Sequence, residues 1–572
     1  MPMHRRLVPL AAVSLTTLTA LAMTGDPAGA SPLTTAASAS TCALPGSGYG
    51  RLLPNLPSAT WDRTAIDSLA AQIMAPAETD PTPEGQRDAE ENVDIAAGYT
   101  YFGQFIDHDL TLDNRPNDLT TPVALSSLVN GRTPQLDLDS VYGTGPTGSP
   151  TLYADDHMHM KVGTALTGSA DSGAVDLPRD ATTGQALIGD QRNDENRIVA
   201  GIHSLFLRLH NQVVDRMRTQ QPALDAATVF AKARQEVTWD YQWIIVNDFL
   251  PTIAGQNTVD AVVRHTPKGW STNLRWWTPC TQMPVEFSVA AYRFGHSMVR
   301  GLYRINDSVD RLPVFSGTYQ PSSDLTGFSP APSNFAIDWK YFVPTSPTSL
   351  GAAQPSYKID ASLTHSLSLL PLPTTGSGPA DLSVRNLLRG EQVGLPSGQD
   401  VARAMGITPL PDDQILIGKA TGDATEAKAI TAISPAFAGK APLWAYVLAE
   451  ATARSYVVRN GAIVGNQVAP FRLGPVGGRI VTETIVGLMA SDPASLLNHP
   501  EFQPHPRVPG SRFNLRGLID LVTATRPATP AAPAKPAPPA TSGTQRPQPP
   551  RNRPAPAPRR RAAAARAVHS TT

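Results

Sequence analysis

The chain has 572 residues, a net charge of −1, 41% hydrophobic residues and two cysteines. That length exceeds what one minimal core needs, so one large domain or two smaller ones would fit. Two cysteines, Cys42 and Cys280, exclude a disulfide scaffold and a cysteine-based zinc or iron–sulfur site, although in an oxidising compartment they would be able to pair.

The first 30 residues read as a targeting segment. His4, Arg5 and Arg6 precede an apolar run from Leu7 to Met23, and Ala28-Gly29-Ala30 supplies a small-x-small cleavage signal. The run is rich in Ala and Thr and short for a membrane span, so an exported, cleaved protein is expected. Arg5-Arg6 leaves both general and twin-arginine export open. An N-terminal arm over 31–45 would lead into a body over 46–525.

Within the body, Tyr99 to Leu110 (YTYFGQFIDHDL) reads as a helix entry. Gln104 and His108 are four apart and Gln104 and Asp107 three apart, so these three side chains share a face. Asp109 is turned about 100° from His108 and points elsewhere. An amide, a carboxylate and an imidazole set in an apolar run are costly to bury without a partner. Three readings of that partner compete: solvent at a surface helix, a divalent metal, or a cofactor beside a catalytic histidine.

Next comes Thr133-Pro134-Gln135-Leu136-Asp137-Leu138-Asp139, in which alternating Thr, Asp and Asp put oxygen atoms on one side of an extended loop. That is hard-cation chemistry, suited to calcium. Gly189-Asp190-Gln191-Arg192-Asn193-Asp194-Glu195-Asn196 then leads into a strongly helical stretch. Arg192, always charged and rich in donors, suits stabilising a developing oxyanion, against a surface ion-pair cluster as the plainer alternative. His203 and His210 on the following helix are read as structural. Further on, His296 closes YRFGHS after a helical run, and RNLLRGEQVGLP carries Asn386 and Arg389.

Apolar residues recur at three- and four-residue intervals in HSLFLRLHNQVVDRM, in TVFAKARQEVTWDYQWII, in PLWAYVLAEATA and in TETIVGLMA. Alternating strands are scarce, and Pro/Gly/Ser-rich connections fill Pro313 to Pro379. The expected class is mainly α with long loops. The segment 526–572 is Pro/Ala-rich and carries nine basic residues and no acidic one, so it is expected to be disordered with polyproline II character. Removing its nine charges and the leader's single net positive charge leaves the body near −11. A spacer role is the simple account of the tail; contact with an anionic cell surface is the functional one. No nucleic-acid partner is expected.

Taken in order, FGQFIDHDL, LDLDSVYG, GDQRNDE…HSLFLRLHN, YRFGHS and RNLLRGEQVGLP resemble the blocks of the animal-type haem peroxidases, the superfamily of myeloperoxidase, peroxinectin and their bacterial relatives. The resemblance runs from about Tyr99 to Pro396. It implies a helical domain with haem b between distal and proximal helices, bound calcium, and reduction of hydrogen peroxide at the expense of a small donor such as halide, thiocyanate or a phenol. By resemblance His108 is the distal base, with Gln104 beside it and Arg192 the distal arginine. Asp107 and Glu195 match carboxylates that can form ester links to haem. His296 matches the proximal iron ligand, with Arg293 nearby, Asn386 accepting its N–H and Arg389 meeting a propionate. Asp109, Thr133, Gln135, Asp137 and Asp139 match the calcium ligands, Gln135 through its carbonyl.

Three positions depart from the family pattern. Asn196 stands where myeloperoxidase has a methionine linked to haem, Gln135 replaces an aromatic residue, and Asp139 replaces a serine. Fatty-acid dioxygenases of the same superfamily carry a tyrosine three residues before the proximal histidine; Arg293 holds that place here, with Tyr292 expected on another helix face. A dioxygenase and a non-enzymatic cell-surface protein are therefore the alternatives to a peroxidase.

Overall fold

The computed structural model describes residues 48–77, 88–113, 118–279, 281–317, 322–346, 348–371, 378–423, 425–504 and 513–524. The leader, both cysteines and the basic tail lie outside these residues. Seven helices carry most of what positions the site: α1 (Arg63–Ile73), α2 (Ala97–Leu110), α3 (Arg197–Gln220), α4 (Ala226–Ile244), α5 (Leu382–Gln392), α6 (Leu443–Ser455) and α7 (Pro475–Ser491). Sheet structure among the described residues is confined to two-stranded pairs. The mainly α expectation is correct, and no helix among the described residues is long and apolar enough to cross a membrane.

Local chemistry explains the helix starts. Asp62, Asn196, Asp225 and Asp381 each accept backbone N–H groups of the first turn of α1, α3, α4 and α5, a cap contributing about 1 kcal/mol. Helix α2 has no such side-chain cap. Its start is set instead by close approach: Gly98 N–H donates to the Phe342 carbonyl at 2.8 Å, and a Cβ at Gly98 would lie 2.6 Å from that oxygen. Only glycine fits this backbone contact.

Helix α2 is then locked by aromatic packing. Phe105 stacks on Phe206 of α3, with centroids 4.9 Å apart, and Tyr241 of α4 meets Phe102, Phe105 and Phe206 edge-on. These rings are fully buried, each contributing on the order of 1.5–3 kcal/mol. Helix α7 is apolar on most faces and runs through the core. Its buried Glu483 accepts the N–H groups of Arg275, Trp276 and Trp277 and pairs with Arg479, which makes a buried carboxylate tolerable.

The stretch before His296 is not regular α-helix. A five-residue π-helical turn, Glu286–Ala290, runs into a 3₁₀ segment, Ala291–Met298. Glu286 is buried there and accepts Leu52 and Leu53 N–H, tying the start of the body to this wall of the site. The described residues between Pro313 and Pro379 are mostly loop, with 3₁₀ turns at Trp339–Tyr341 and His365–Ser368 and one short strand, Pro355–Tyr357.

Candidate active site

One cavity of about 370 Å³ lies between α2 and the 3₁₀ segment. Its lining includes Gln104, Asp107, His108, Arg192 and Glu195 on one side, and Arg293, His296, Asn386 and Arg389 on the other. All nine residues singled out for catalysis or cofactor contact therefore meet around one space, although they come from 286 residues of sequence. The shared helical face is the reason for the first three: α2 turns Gln104, Asp107 and His108 towards the cavity and buries its aromatics behind them.

His108 is buried, and its Nδ1 lies 2.9 Å from Asn193 Oδ1. Burial, reinforced by the Arg192 guanidinium, pushes its pKa down to about 3, so the ring is neutral at any ordinary pH. Gln104 is held at both ends: Nε2 donates to Glu195 Oε2 at 2.8 Å, and Oε1 accepts from Asn196 Nδ2 at 3.0 Å. Asn196, the departure from the family pattern, thus clamps Gln104 with its amide nitrogen while its oxygen caps α3. Asp107 accepts the Thr111 hydroxyl at 3.0 Å, and burial raises its pKa against the pull of Arg192 and Arg293.

Arg192 is more tightly held than its sequence suggests. It donates to both oxygens of Asp190, at 2.7 Å from Nη2, and to the carbonyls of Thr111 and His108. Burial would raise the Asp190 pKa, but the guanidinium overrides it and holds the carboxyl well below the usual range. Asp190 therefore stays ionised and fixes the arginine at the cavity wall.

On the opposite wall one expectation is corrected. Asn386 was expected to accept the N–H of His296; its amide faces the other way, with Nδ2 2.9 Å from His296 Nδ1 and Oδ1 accepting Arg293 Nη1 at 2.6 Å. A guanidinium has only donors, so it claims the amide oxygen and leaves the NH₂ for the imidazole. Burial, then Arg293, pushes the His296 pKa down to about 3. Tyr292 lines the cavity beside Arg293; the two are neighbours in the 3₁₀ segment, about 120° apart, so they reach it from different faces. The Tyr292 hydroxyl is buried with no hydrogen-bond partner. Arg389 reaches Asp113 at 3.1 Å and Gln392 at 2.6 Å from the cavity edge.

Asp109 does turn away, as the helix geometry predicts. Its carboxylate and those of Asp137 and Asp139 offer oxygen atoms all within 4.8 Å of one another, the only such group among the described residues. Asp109 is fully buried and accepts Leu138 N–H and the Ser140 hydroxyl, each at 3.1 Å. Thr133 donates its hydroxyl to Asp137 and its N–H to Asp139, and half-buried Gln135 is held by its own N–H on the Thr133 carbonyl. Leu136 and Leu138 adopt left-handed φ of 54° and 59° with fully buried side chains, so packing sustains a loop that costs on the order of 1–3 kcal/mol per residue. Three converging carboxylates fit a hard divalent cation.

Sequence reading gave no role to Asp190, Asn193, Tyr49 or the Arg179–Asp194 pair. Asp190 and Asn193 sit inside a block already singled out, so nearness to Arg192 was the available signal. Tyr49 lines the cavity from far outside the blocks, and Arg179 holds Asp194 through two bonds of 2.7 and 2.8 Å. His210 lies between the Tyr142 hydroxyl and the Met158 carbonyl, which agrees with its structural reading.

The model of the animal haem peroxidase domain family matches residues 117–427. Over 227 residues the chain is 26% identical to peroxinectin A of Dictyostelium discoideum, covering 39% of this chain and 38% of that one. It is 28% identical over 190 residues to mouse (Mus musculus) thyroid peroxidase, covering 31% and 20%. The matches thus span less than two fifths of these curated relatives. Among solved structures, peroxidase A from Dictyostelium discoideum superposes with a TM-score of 0.53 at 17% identity, over 84% of this chain and 92% of that chain. Fatty acid alpha-dioxygenase from Arabidopsis thaliana gives the same TM-score at 15% identity, over 84% and 80%. These likenesses establish a shared fold and do not separate peroxidase from dioxygenase.

Proposed function

Because the chain belongs to the animal haem peroxidase family, we propose that it is an exported, calcium-bearing, haem-dependent peroxidase that reduces hydrogen peroxide and oxidises a small donor. The observation that carries this reading is the convergence on one cavity of an imidazole from each wall with an arginine beside one of them. The residues present fit haem: His296 would offer its Nε2 lone pair to the iron with its proton on Nδ1, the Asn386 amide then turning its oxygen to that N–H, Arg389 and Arg385 offer cations at the edge for propionates, and Asp107 and Glu195 offer carboxylates for ester links. Haem bound there would supply the redox equivalents that side chains lack.

The chain's own residues supply the proton chemistry. His108, neutral because it is buried, presents a lone pair that takes a proton from hydrogen peroxide and returns it to the departing oxygen. Arg192, held by Asp190, places fixed positive charge where negative charge develops on that oxygen. Gln104, immobilised by Glu195 and Asn196, presents a rigid polar surface next to His108 and limits water exchange on that side. The leader supports export, and halides, thiocyanate and phenols all remain donors that this cavity chemistry admits.

The test is the optical spectrum of the purified protein before and after hydrogen peroxide. A Soret band that shifts on addition supports the reading; no Soret band after expression with ample haem would leave the non-enzymatic surface role. His296→Ala should lose the bound haem, and a fully loaded variant would remove His296 as the iron ligand. Tyr292 favours a second reading, because it lines the same cavity and its buried hydroxyl has no hydrogen-bond partner. Oxygen uptake with a fatty acid, abolished in Tyr292→Phe, would convert the assignment to a dioxygenase.

A further inference from the structure

Behind His108, on the side away from the cavity, three polar side chains line up in the core. His108 Nδ1 is 2.9 Å from Asn193 Oδ1, and Asn193 Nδ2 is 3.0 Å from His203 Nδ1. All three residues are buried, His203 and Asn193 completely. His203 Nε2 has no hydrogen-bond partner. The ring lies edge-on to Phe105, with centroids 6.2 Å apart, in the aromatic layer formed with Phe206 and Tyr241. Burial pushes the His203 pKa down to about 3, so this ring is neutral.

An amide has one accepting and one donating end, and a neutral imidazole has one N–H and one lone pair. Asn193 therefore couples the two rings. With its oxygen towards His108, His108 must carry its proton on Nδ1 and His203 must carry its own on Nε2. Turning the amide reverses both. Two features favour the first state. An N–H at His203 Nε2 can rest against aromatic rings, whereas a buried lone pair there finds nothing. Arg192, which donates to the His108 carbonyl at 3.2 Å, favours a lone pair rather than an N–H on the cavity side of His108.

We propose that His203, acting through Asn193, sets the tautomer of His108 and keeps its Nε2 lone pair turned to the cavity. His203 and Asn193 are positioning residues: neither lines the cavity. The inference rests on the reading of His108 as the proton acceptor, and deepens it by naming what holds the acceptor ready. It also explains why a fully buried histidine with an unpartnered nitrogen sits ten residues downstream of Asn193 on α3.

The test is nitrogen NMR of the full-length protein labelled with ¹⁵N-histidine, in the diamagnetic ferrous carbon monoxide form where it carries haem and as purified where it does not. Single His108→Gln and His203→Gln variants assign the two rings. In the wild type, His108 is expected as the Nδ1–H tautomer and His203 as the Nε2–H tautomer; any other combination overturns the proposal, and this result needs no destabilised variant. His203→Leu should convert His108 into a tautomer mixture, whereas His203→Gln, which keeps an acceptor, should preserve the Nδ1–H form. An unchanged His108 signal in folded His203→Leu would also overturn it. The tautomers are read without peroxide, so a failure here is distinct from a failure of the peroxidase reading, which the Soret response reports.

Discussion

Removing divalent cations should lower the melting temperature of this protein, and the carboxylate cluster behind α2 gives the size of the effect. Three ionised carboxylates within 4.8 Å repel by roughly 3–4 kcal/mol per pair at an effective dielectric constant near 20. Arg132 lies 3.4 Å from Asp139 and Arg234 3.2 Å from Asp137, so these two charges are partly offset. Asp109 is completely buried and accepts the Leu138 and Ser140 N–H groups and the Ser140 hydroxyl, and burial followed by Asp139 and Asp137 raises its pKa, so its ionised form lacks a positive partner that a cation would supply. A cation present at 100 times its Kd adds about 2.7 kcal/mol to folding stability. At ~2.1 cal/mol/K per residue, a body of roughly 450–500 residues unfolds with an entropy near 1 kcal/mol/K, so the shift should be about 3 °C. Thermal unfolding followed by circular dichroism, after chelation and again with millimolar calcium, measures it. Asp109→Asn should abolish the calcium response and leave the protein no less stable than the chelated wild type. Equal melting temperatures for chelated and calcium-treated wild type would refute the cation site.

Three further outcomes are expected. Arg192→Ala should keep its haem but react with hydrogen peroxide on the order of 10²–10³-fold more slowly in stopped flow, the usual effect of deleting one oxyanion donor; an unchanged rate would remove it from the chemistry. Buried Glu450, which accepts Val476 and Gly477 N–H at the start of α7, has its pKa raised by burial from 4.5 to about 7. The folded state then holds a proton that the unfolded state has lost. Stability should therefore fall as pH rises from about 4.5 to about 7, by on the order of 3 kcal/mol, and level off above; denaturant titrations in which Glu450→Gln kept the wild-type slope would contradict this. Glu483→Ala strands three backbone N–H groups and Arg479, so it should cost about 3–5 kcal/mol in chemical denaturation, and a loss under 1 kcal/mol would show that these donors find other partners.

Much of the site was legible because its first layer is local. The 100° step of a helix by itself separates the cavity-facing trio Gln104, Asp107 and His108 from Asp109, and α2 keeps that phase. The alternation of Thr133, Asp137 and Asp139 likewise marks an oxygen-rich loop, and the apolar spacing marks helices α3, α4, α6 and α7. What no spacing reveals is which atoms meet once distant segments pack. Asn386 turns its oxygen to Arg293 because a guanidinium 93 residues away has only donors to give it. Arg192 is paired with Asp190 at the cavity wall, and Tyr292 reaches the same cavity from a 3₁₀ segment that no sequence period announces. His203 looked like a core histidine and is one, but only the packing of α3 behind α2 brings its Nδ1 to the amide that also holds His108. Sequence determined which residue types face which way along each helix, since that is a property of the backbone's own period; the tertiary structure decided which polar atoms meet, since that depends on partners far apart in the chain.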